Sequence, residues 1–204
     1  MPTIEQSLEK GKNLQEFISS TVYGGRASFI NEQKNIILLA YFDLAMEHHH
    51  SIFLLIIQKN FGSAFALLRP LVEIVFRAHW VTGCASQIQI DRIHKDENFR
   101  FPRPKQISAC LDTVFKADVF FSTWKKSAWG PLNDFVHSGL LALGRRFSGH
   151  NVQPNYSESE IAEAVRFSNA SLILLGKMFF THFNRTDDAK AIESFLEPDP
   201  LEPQ

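Results

Sequence analysis

Three charged residues recur at intervals of four within an otherwise apolar stretch of the chain. The segment LLRPLVEIVFRAHW at 67–80 contains Arg69, Glu73 and Arg77. Residues four apart lie on nearly the same face of a helix, so these side chains should form one polar ridge. Two chemistries fit such a ridge. It is either a buried ladder of ion pairs that sets the helix register, or a pocket in which an arginine binds an anion such as phosphate.

A second stretch, PLNDFVHSG at 131–139, combines a histidine with polar residues one turn before it. Asn133 and His137 are spaced i, i+4, and Asp134 and His137 are spaced i, i+3, so either pair can meet on a helix. A polar partner on one ring nitrogen fixes the tautomer and leaves the other nitrogen available for acid–base chemistry. The alternative is ordinary helix packing around a histidine whose hydrogen bonds are satisfied.

Carboxylate and histidine residues one turn apart also suggest a metal site as an alternative. Glu47 with His50 and Asp134 with His137 are both i, i+3 pairs, and Glu73 could join them from a third helix. Helical bundles hold dinuclear metal sites with such sets, and carboxylates with imidazoles suit iron, manganese or zinc. Because this spacing is short and common, we expect no metal and no other cofactor, and the metal site stays an alternative.

The overall charge excludes a strongly basic nucleic-acid-binding protein. The 204 residues include 21 Lys and Arg against 22 Asp and Glu, which gives a net charge of −1. Any contact with RNA therefore needs a local basic cluster. Three clusters exist, although a solvated surface explains each of them equally well: Arg100, Arg103 and Lys105; Lys125 and Lys126; and Arg145 and Arg146. The last pair follows His137 by about two turns and is the predicted substrate-binding pair.

Cysteine usage and hydropathy indicate a cytoplasmic protein. Cys84 and Cys110 are the only cysteines and have no CxxC spacing, so we expect buried, reduced thiols. The N-terminal residues include no apolar segment of the signal-peptide type. The longest apolar run, IFLLII at 52–57, is far shorter than the roughly 20 residues of a membrane span. We therefore expect no membrane association.

Helical periodicity predominates along the chain and predicts an all-α fold, a bundle of four long helices with shorter helices beside it. We expect one domain over residues 1–196 and a flexible tail over 197–204. Two start signals are clear, namely Pro131 at a first helical position and a capping box from Ser157 to Glu160. The helices are expected near residues 4–20, 29–59, 63–83, 86–95, 104–117, 118–126, 131–147, 157–183 and 187–196.

Several of these stretches resemble a family of uncharacterised bacterial helical proteins. They are SIFLLIIQKNFGSAFALLRPLVEIVFRAHWV, WGPLNDFVHSG followed by RR, and NYSESEIAEAVRF. The family shares a helix with the pattern ALLRPLxE…R…W and a helix with the pattern LNxxxHxG. The resemblance covers most of residues 40–170 and implies the fold but no agreed activity.

More distantly, the layout is similar to HEPN domains. This resemblance implies an all-α, usually dimeric bundle, and many such domains are metal-independent ribonucleases of toxin–antitoxin and phage-defence systems. Their usual signature is an arginine followed a few residues later by a histidine on one helix. Here His137 precedes Arg145 instead, and Arg69 and Arg77 come from another helix.

Together these patterns predict a homodimer with a polar cleft between the helices at 61–83 and 131–147. In an RNA-cleaving site, His137 would act as general acid or base, positioned by Asn133 or Asp134. Arg69 and Arg77 would stabilise charge on the phosphate, and Glu73 would orient them. The alternative is a non-catalytic helical dimerisation or interaction module in which the same residues form a structural network.

Overall fold

The chain folds into a bundle of α-helices, which confirms the predicted all-α class. The computed structural model describes residues 2–23 and 32–196. Within them, the helices are α1 Ile4–Tyr23, α2 Gln33–Ile57, α3 Phe61–Gly83, α4 Gln87–Lys95, α5 Pro104–Val114, α6 Phe120–Val136, α7 Leu140–Gly144, α8 Glu158–His182 and α9 Thr186–Glu193. Strands β1 Phe147–Ser148 and β2 Asn151–Val152 pair antiparallel between α7 and α8. The predicted tail at 197–204 lies outside the described residues.

Helix α3 forms the centre of the bundle. It packs against α2, α5, α6 and α8, while α8 also packs against α1, α2 and α9. The two long apolar helices α2 and α3 are joined by three residues and lie side by side. Most side chains of α3 are buried, and each large apolar one contributes about 1.5–3 kcal/mol to stability. No helix in the described ranges is both long enough and apolar enough to cross a membrane.

One of the three successive histidines at 48–50 enters the core and joins three helices. His49 is fully buried, and its Nδ1 accepts a hydrogen bond of 2.9 Å from Gln15 Nε2. Its Nε2–H donates to Asn169 Oδ1 at 2.8 Å, and Asn169 Nδ2 donates to the carbonyl oxygen of Ser7. Burial lowers the pKa of His49 to about 4, so this ring is neutral at neutral pH.

Helix α1 approaches this network closely because Gly11 has no side chain. A Cβ atom at this position would overlap the ring of Phe53 and the side-chain amide of Asn169. The glycine that interrupts the apolar pattern of α1 is therefore a packing residue, and the helix continues through it.

The predicted helix start at Pro131 is wrong, because α6 runs through this residue without interruption. Proline removes one hydrogen bond from a helix interior and crowds the preceding turn. The rings of Phe121, Trp124 and Trp129 pack around Phe76 of α3 with centroid distances of 5.2–5.7 Å. This aromatic packing holds the residues before Pro131 in the helix.

The predicted end of that helix near residue 147 is also wrong. Ser138 has a left-handed backbone with φ of 54°, and the amide of Gly139 donates to the carbonyl oxygen of Asp134 at 2.7 Å. Asp134 Oδ2 then accepts from the amide of Leu141 at 3.1 Å and caps α7. As a result, three large apolar side chains of this stretch are exposed: Val136, Leu140 and Leu143.

The two cysteines form a disulfide, which corrects the prediction of reduced thiols. Cys84 follows the last residue of α3, and Cys110 lies within α5. The bond joins residues 26 positions apart, and both cysteines are partly exposed. Their spacing contains no recognisable disulfide pattern, because the sulfur atoms meet only when α5 packs against α3.

Candidate functional site, an arginine–aromatic cleft

The charged residues of α3 form a continuous ladder on one face of the helix. Arg69 Nη2 lies 2.7 Å from Glu73 Oε1, and Arg77 Nη2 lies 3.0 Å from Glu73 Oε2. The i, i+4 spacing therefore brings both guanidinium groups to one carboxylate, one on each oxygen. This arrangement neutralises Glu73 and leaves an excess of positive charge on the helix face.

Arg69 is held on several sides and is nearly buried, with 9% of its surface exposed. Its Nε donates to Asn133 Oδ1 of α6 at 3.0 Å, and its Cζ lies 3.4 Å from the ring centroid of Trp129. Burial lowers the pKa of Arg69, while the carboxylate of Glu73 acts in the opposite direction. Nη1 is buried and has no hydrogen-bond acceptor in the described part of the chain. The side chain of Asn133 thus orients Arg69, and Asn133 meets His137 only through its backbone carbonyl oxygen, which accepts from the His137 amide at 2.9 Å.

Arg77 is the more accessible arginine of the ladder, with 38% of its side chain exposed. Its Cζ lies 4.8 Å from the ring centroid of Phe101, which in turn packs against Trp80 at 5.9 Å. Tyr41 of α2 lies on the same side, with its ring 6.5 Å from that of Phe101. Burial raises the pKa of Tyr41 to about 12, so its hydroxyl stays protonated.

A cleft of about 540 Å³ opens beside the ladder, and we call it the arginine–aromatic cleft. Arg100 and Arg103 are exposed and form no salt bridge with any described residue. Since the only lining carboxylate is already paired, the cleft is positively charged. Its charged and aromatic lining comprises Arg77, Arg100, Arg103, Glu73, Phe76, Phe99, Phe101 and Trp129.

The segment NFRFPRP at 98–104 forms one wall of this cleft. Arg103 precedes a proline and is extended, with φ of −62° and ψ of 148°, as expected for such a residue. Phe99 and Phe101 are partly buried and pack edge to face at 5.0 Å, whereas the two arginines are exposed. Sequence reasoning included these arginines only as one of three basic clusters. The signal it missed is the interleaving of phenylalanine with arginine in a segment that its prolines mark as a linker.

The remaining predicted site residues lie elsewhere. His137 is exposed just after α6, does not line the cleft, and its imidazole makes no hydrogen bond with the described residues. Arg145 forms a salt bridge with Glu160. Arg146 lines a separate hollow of about 320 Å³ together with Tyr156. The structure therefore brings together Arg69, Glu73, Arg77 and Asn133, but not the other three.

The alternative metal set does not assemble. Across residues 2–23 and 32–196, no group of three or more His, Cys, Asp or Glu side chains could hold a metal ion. Glu47 and His50 are exposed on α2, Glu73 is paired with arginines, and Asp134 caps α7. These side chains are either exposed or already held by other partners, and the i, i+3 pattern does not form a site.

Fold and cleft together define an all-α bundle with an arginine-rich cleft that is lined by aromatic rings. The chain belongs to a family of unknown function (DUF6988), whose family model matches residues 42–197. This match includes α3, which carries the ladder, and the whole wall segment of the cleft. No curated protein and no solved structure matches the chain.

Proposed function

We propose that this protein acts on RNA by binding a single-stranded segment in the arginine–aromatic cleft. The observation that carries the proposal is the composition of the cleft, in which unpaired arginines alternate with aromatic rings. Guanidinium groups bind phosphate oxygens through paired, charge-assisted hydrogen bonds. Aromatic side chains stack with bases of any sequence, so the combination suits single-stranded nucleic acid.

Arg69 and Glu73 support this function because they hold the residues that form one wall of the cleft. Arg69 packs against Trp129, and Glu73 holds Arg77 at the cleft surface. Arg100 and Arg103 are then available for phosphate groups. Because the net charge of the chain is −1, binding depends on this local excess of positive charge and not on the protein as a whole.

Fluorescence anisotropy with a labelled single-stranded RNA of mixed sequence tests the proposal. The variant Arg100→Gln/Arg103→Gln should bind at least tenfold more weakly than wild type. It should also lose about 1.4 from the slope of log K against log salt, since each phosphate contact to a single strand contributes about 0.7. The control Lys125→Gln/Lys126→Gln removes the same charge from residues that do not line the cleft. It should change affinity less than twofold.

A separate variant tests the aromatic contribution. Phe99→Leu keeps the apolar volume but removes the aromatic face, and stacking is worth about 1–3 kcal/mol per base. We therefore expect at least fivefold weaker RNA binding and no change in the binding of inorganic polyphosphate. Equal losses in both arginine and lysine double variants would reject the cleft as the binding site. Equal affinity for polyphosphate and RNA would reject base recognition.

Cleavage of RNA is a narrower, HEPN-like hypothesis within this proposal. In it, His137 acts as general acid or base and Arg69 and Arg77 stabilise charge on the phosphate. Cleavage of a labelled RNA by wild type, lost in His137→Ala with unchanged binding, would support it. Equal cleavage by both proteins would reject His137 as the catalytic residue and leave the binding function as the remaining activity.

A homodimer or a non-catalytic interaction module is the second candidate, and exposed apolar residues on α2 favour it. Ile36, Leu54 and Ile57 are 46–64% exposed and recur along the described length of this helix. Multi-angle light scattering of wild type and of Ile57→Gln tests it. We expect a dimer that the substitution weakens. A monomeric wild-type protein at micromolar concentration would contradict this candidate without affecting RNA binding by the cleft.

A further inference from the structure

We infer that the Cys84–Cys110 disulfide controls ligand binding at the arginine–aromatic cleft, so that reduction of the bond weakens RNA binding. The inference rests on the proposed RNA binding and adds its regulation. It depends on what the disulfide encloses, on how weakly the enclosed segment is otherwise attached, and on the partial exposure of the two cysteines.

The disulfide closes a loop of chain that contains one whole wall of the cleft. The loop runs from Cys84 to Cys110 and includes α4 and the first half of α5. It carries both unpaired arginines and two of the four aromatic rings that line the cleft: Arg100, Arg103, Phe99 and Phe101. The opposite wall, with Arg77 and Trp129, belongs to α3 and α6. The covalent bond therefore connects the two walls near one end.

Buried residues anchor this wall only at its two ends. Ile90 of α4 and Ile107 of α5 are buried, but no residue between them is buried. The backbone hydrogen bonds of residues 96–103 reach only neighbours within four positions along the chain. The main tertiary contact of the segment is the ring of Phe101 against Trp80 and Tyr41. Segments with few buried contacts open locally at low free-energy cost.

The thiol chemistry is simple and reversible. A thiolate of a dithiol reductant attacks one sulfur of the Cys84–Cys110 bond and forms a mixed disulfide, releasing the other cysteine as a thiolate that takes up a proton. The second thiol of the reductant then displaces the protein sulfur. Two electrons and two protons pass to the protein, which gains two thiols, and the reductant becomes a disulfide. Both cysteines are partly exposed, so a reductant can reach them.

Loss of the bond should loosen the wall without unfolding the bundle. A disulfide restricts the conformations that the enclosed loop gains when it opens, so its removal lowers the free-energy cost of local opening, most of all in the least anchored part. Here that part is residues 96–103, which connect α4 to α5. Arginines on a mobile wall bind phosphate with a greater entropy cost, because binding must first order the segment.

The test compares oxidised wild type with wild type reduced by dithiothreitol, using labelled single-stranded RNA and hydrogen exchange. Reduction should weaken RNA binding at least fivefold and speed amide exchange within residues 96–103 at least tenfold. Exchange in α8 should not change, and reoxidation should restore both values. The variant Cys84→Ser/Cys110→Ser should resemble the reduced protein and should not respond to dithiothreitol.

The two readouts distinguish failure of the inference from failure of the proposed function. Equal RNA affinity of the oxidised and reduced proteins would overturn the inference and leave RNA binding by the cleft intact. Absence of RNA binding by the oxidised protein would reject the proposed function and the inference together. If the double serine variant does not fold, reduced wild type with unchanged circular dichroism provides the same comparison.

Discussion

Replacement of Glu73 by glutamine tests whether the ladder on α3 is a stabilising element of the bundle. The carboxylate accepts from both Arg69 and Arg77, and its side chain is 28% exposed. Glutamine keeps the shape and one acceptor oxygen but removes the charge that both guanidinium groups face. Arg69 would then lose its only charged partner among the described residues while staying nearly buried, and would keep its contacts with Asn133 and Trp129.

The expected loss lies between the values for exposed and buried ion pairs. Exposed pairs contribute about 0–1 kcal/mol, and removal of one partner from a fully buried pair costs about 3–5 kcal/mol. Because Arg69 is 10% and Glu73 28% exposed at the side chain, we expect Glu73→Gln to lower the free energy of unfolding by about 2 kcal/mol. This corresponds to roughly a 30-fold change in the unfolding equilibrium.

Urea denaturation followed by far-UV circular dichroism measures this change, with Glu16→Gln as the matched control. Glu16 forms the same i, i+4 type of pair with Lys12 on α1, but the side chains are 66% and 73% exposed and the distance is 3.8 Å. The control should lose less than about 0.5 kcal/mol. If Glu73→Gln and Glu16→Gln have unfolding free energies within about 0.5 kcal/mol of each other, the ladder contributes no more than a surface pair and the reasoning is refuted.

Two further predictions concern the packing of α1 and the buried histidine. The folded-state pKa of His49 is about 4, below the unfolded value of 6.5, so its contribution to stability is present above pH 6.5 and is lost as the pH falls towards 4. That contribution is about 3 kcal/mol in total. In urea denaturation at several pH values, the free energy of unfolding of His49→Gln should therefore fall less steeply with decreasing pH than that of wild type. Equal slopes for the two proteins would contradict this prediction. Gly11→Ala should destabilise the protein by about 1–3 kcal/mol by forcing α1 away from Phe53. The control Gly130→Ala, which meets no atom within 4 Å, should be neutral or stabilising, and similar effects of both substitutions would show that the close approach at Gly11 is unimportant.

The features that the sequence determined by itself are local ones. The capping box predicted at Ser157 and Glu160 is present at the start of α8. The long helices begin and end near the expected positions, and the four-residue spacing placed Arg69, Glu73 and Arg77 on one face of α3. Each of these depends on backbone geometry over a few residues, so a pattern of residue types is sufficient to predict it.

The errors arise where packing outweighs a local signal. Pro131 resembles a helix start by its own chemistry, yet the helix continues through it because Phe121, Trp124 and Trp129 are fixed against Phe76. The spacing of Asn133 and His137 likewise suggested a pair. Asn133 instead turns to an arginine on a neighbouring helix, since a nearly buried guanidinium needs an acceptor more than an exposed imidazole does.

Only the tertiary structure decided the cleft and the disulfide. The walls of the cleft come from residues near 73–77, 99–103 and 129, and the disulfide joins residues 84 and 110. Such groups meet when α5 and α6 pack on α3, and contact between distant segments leaves no periodic pattern in the chain. The sequence therefore determined which residues could bind an anion or a base, and the packing of the helices determined which of them share one cleft.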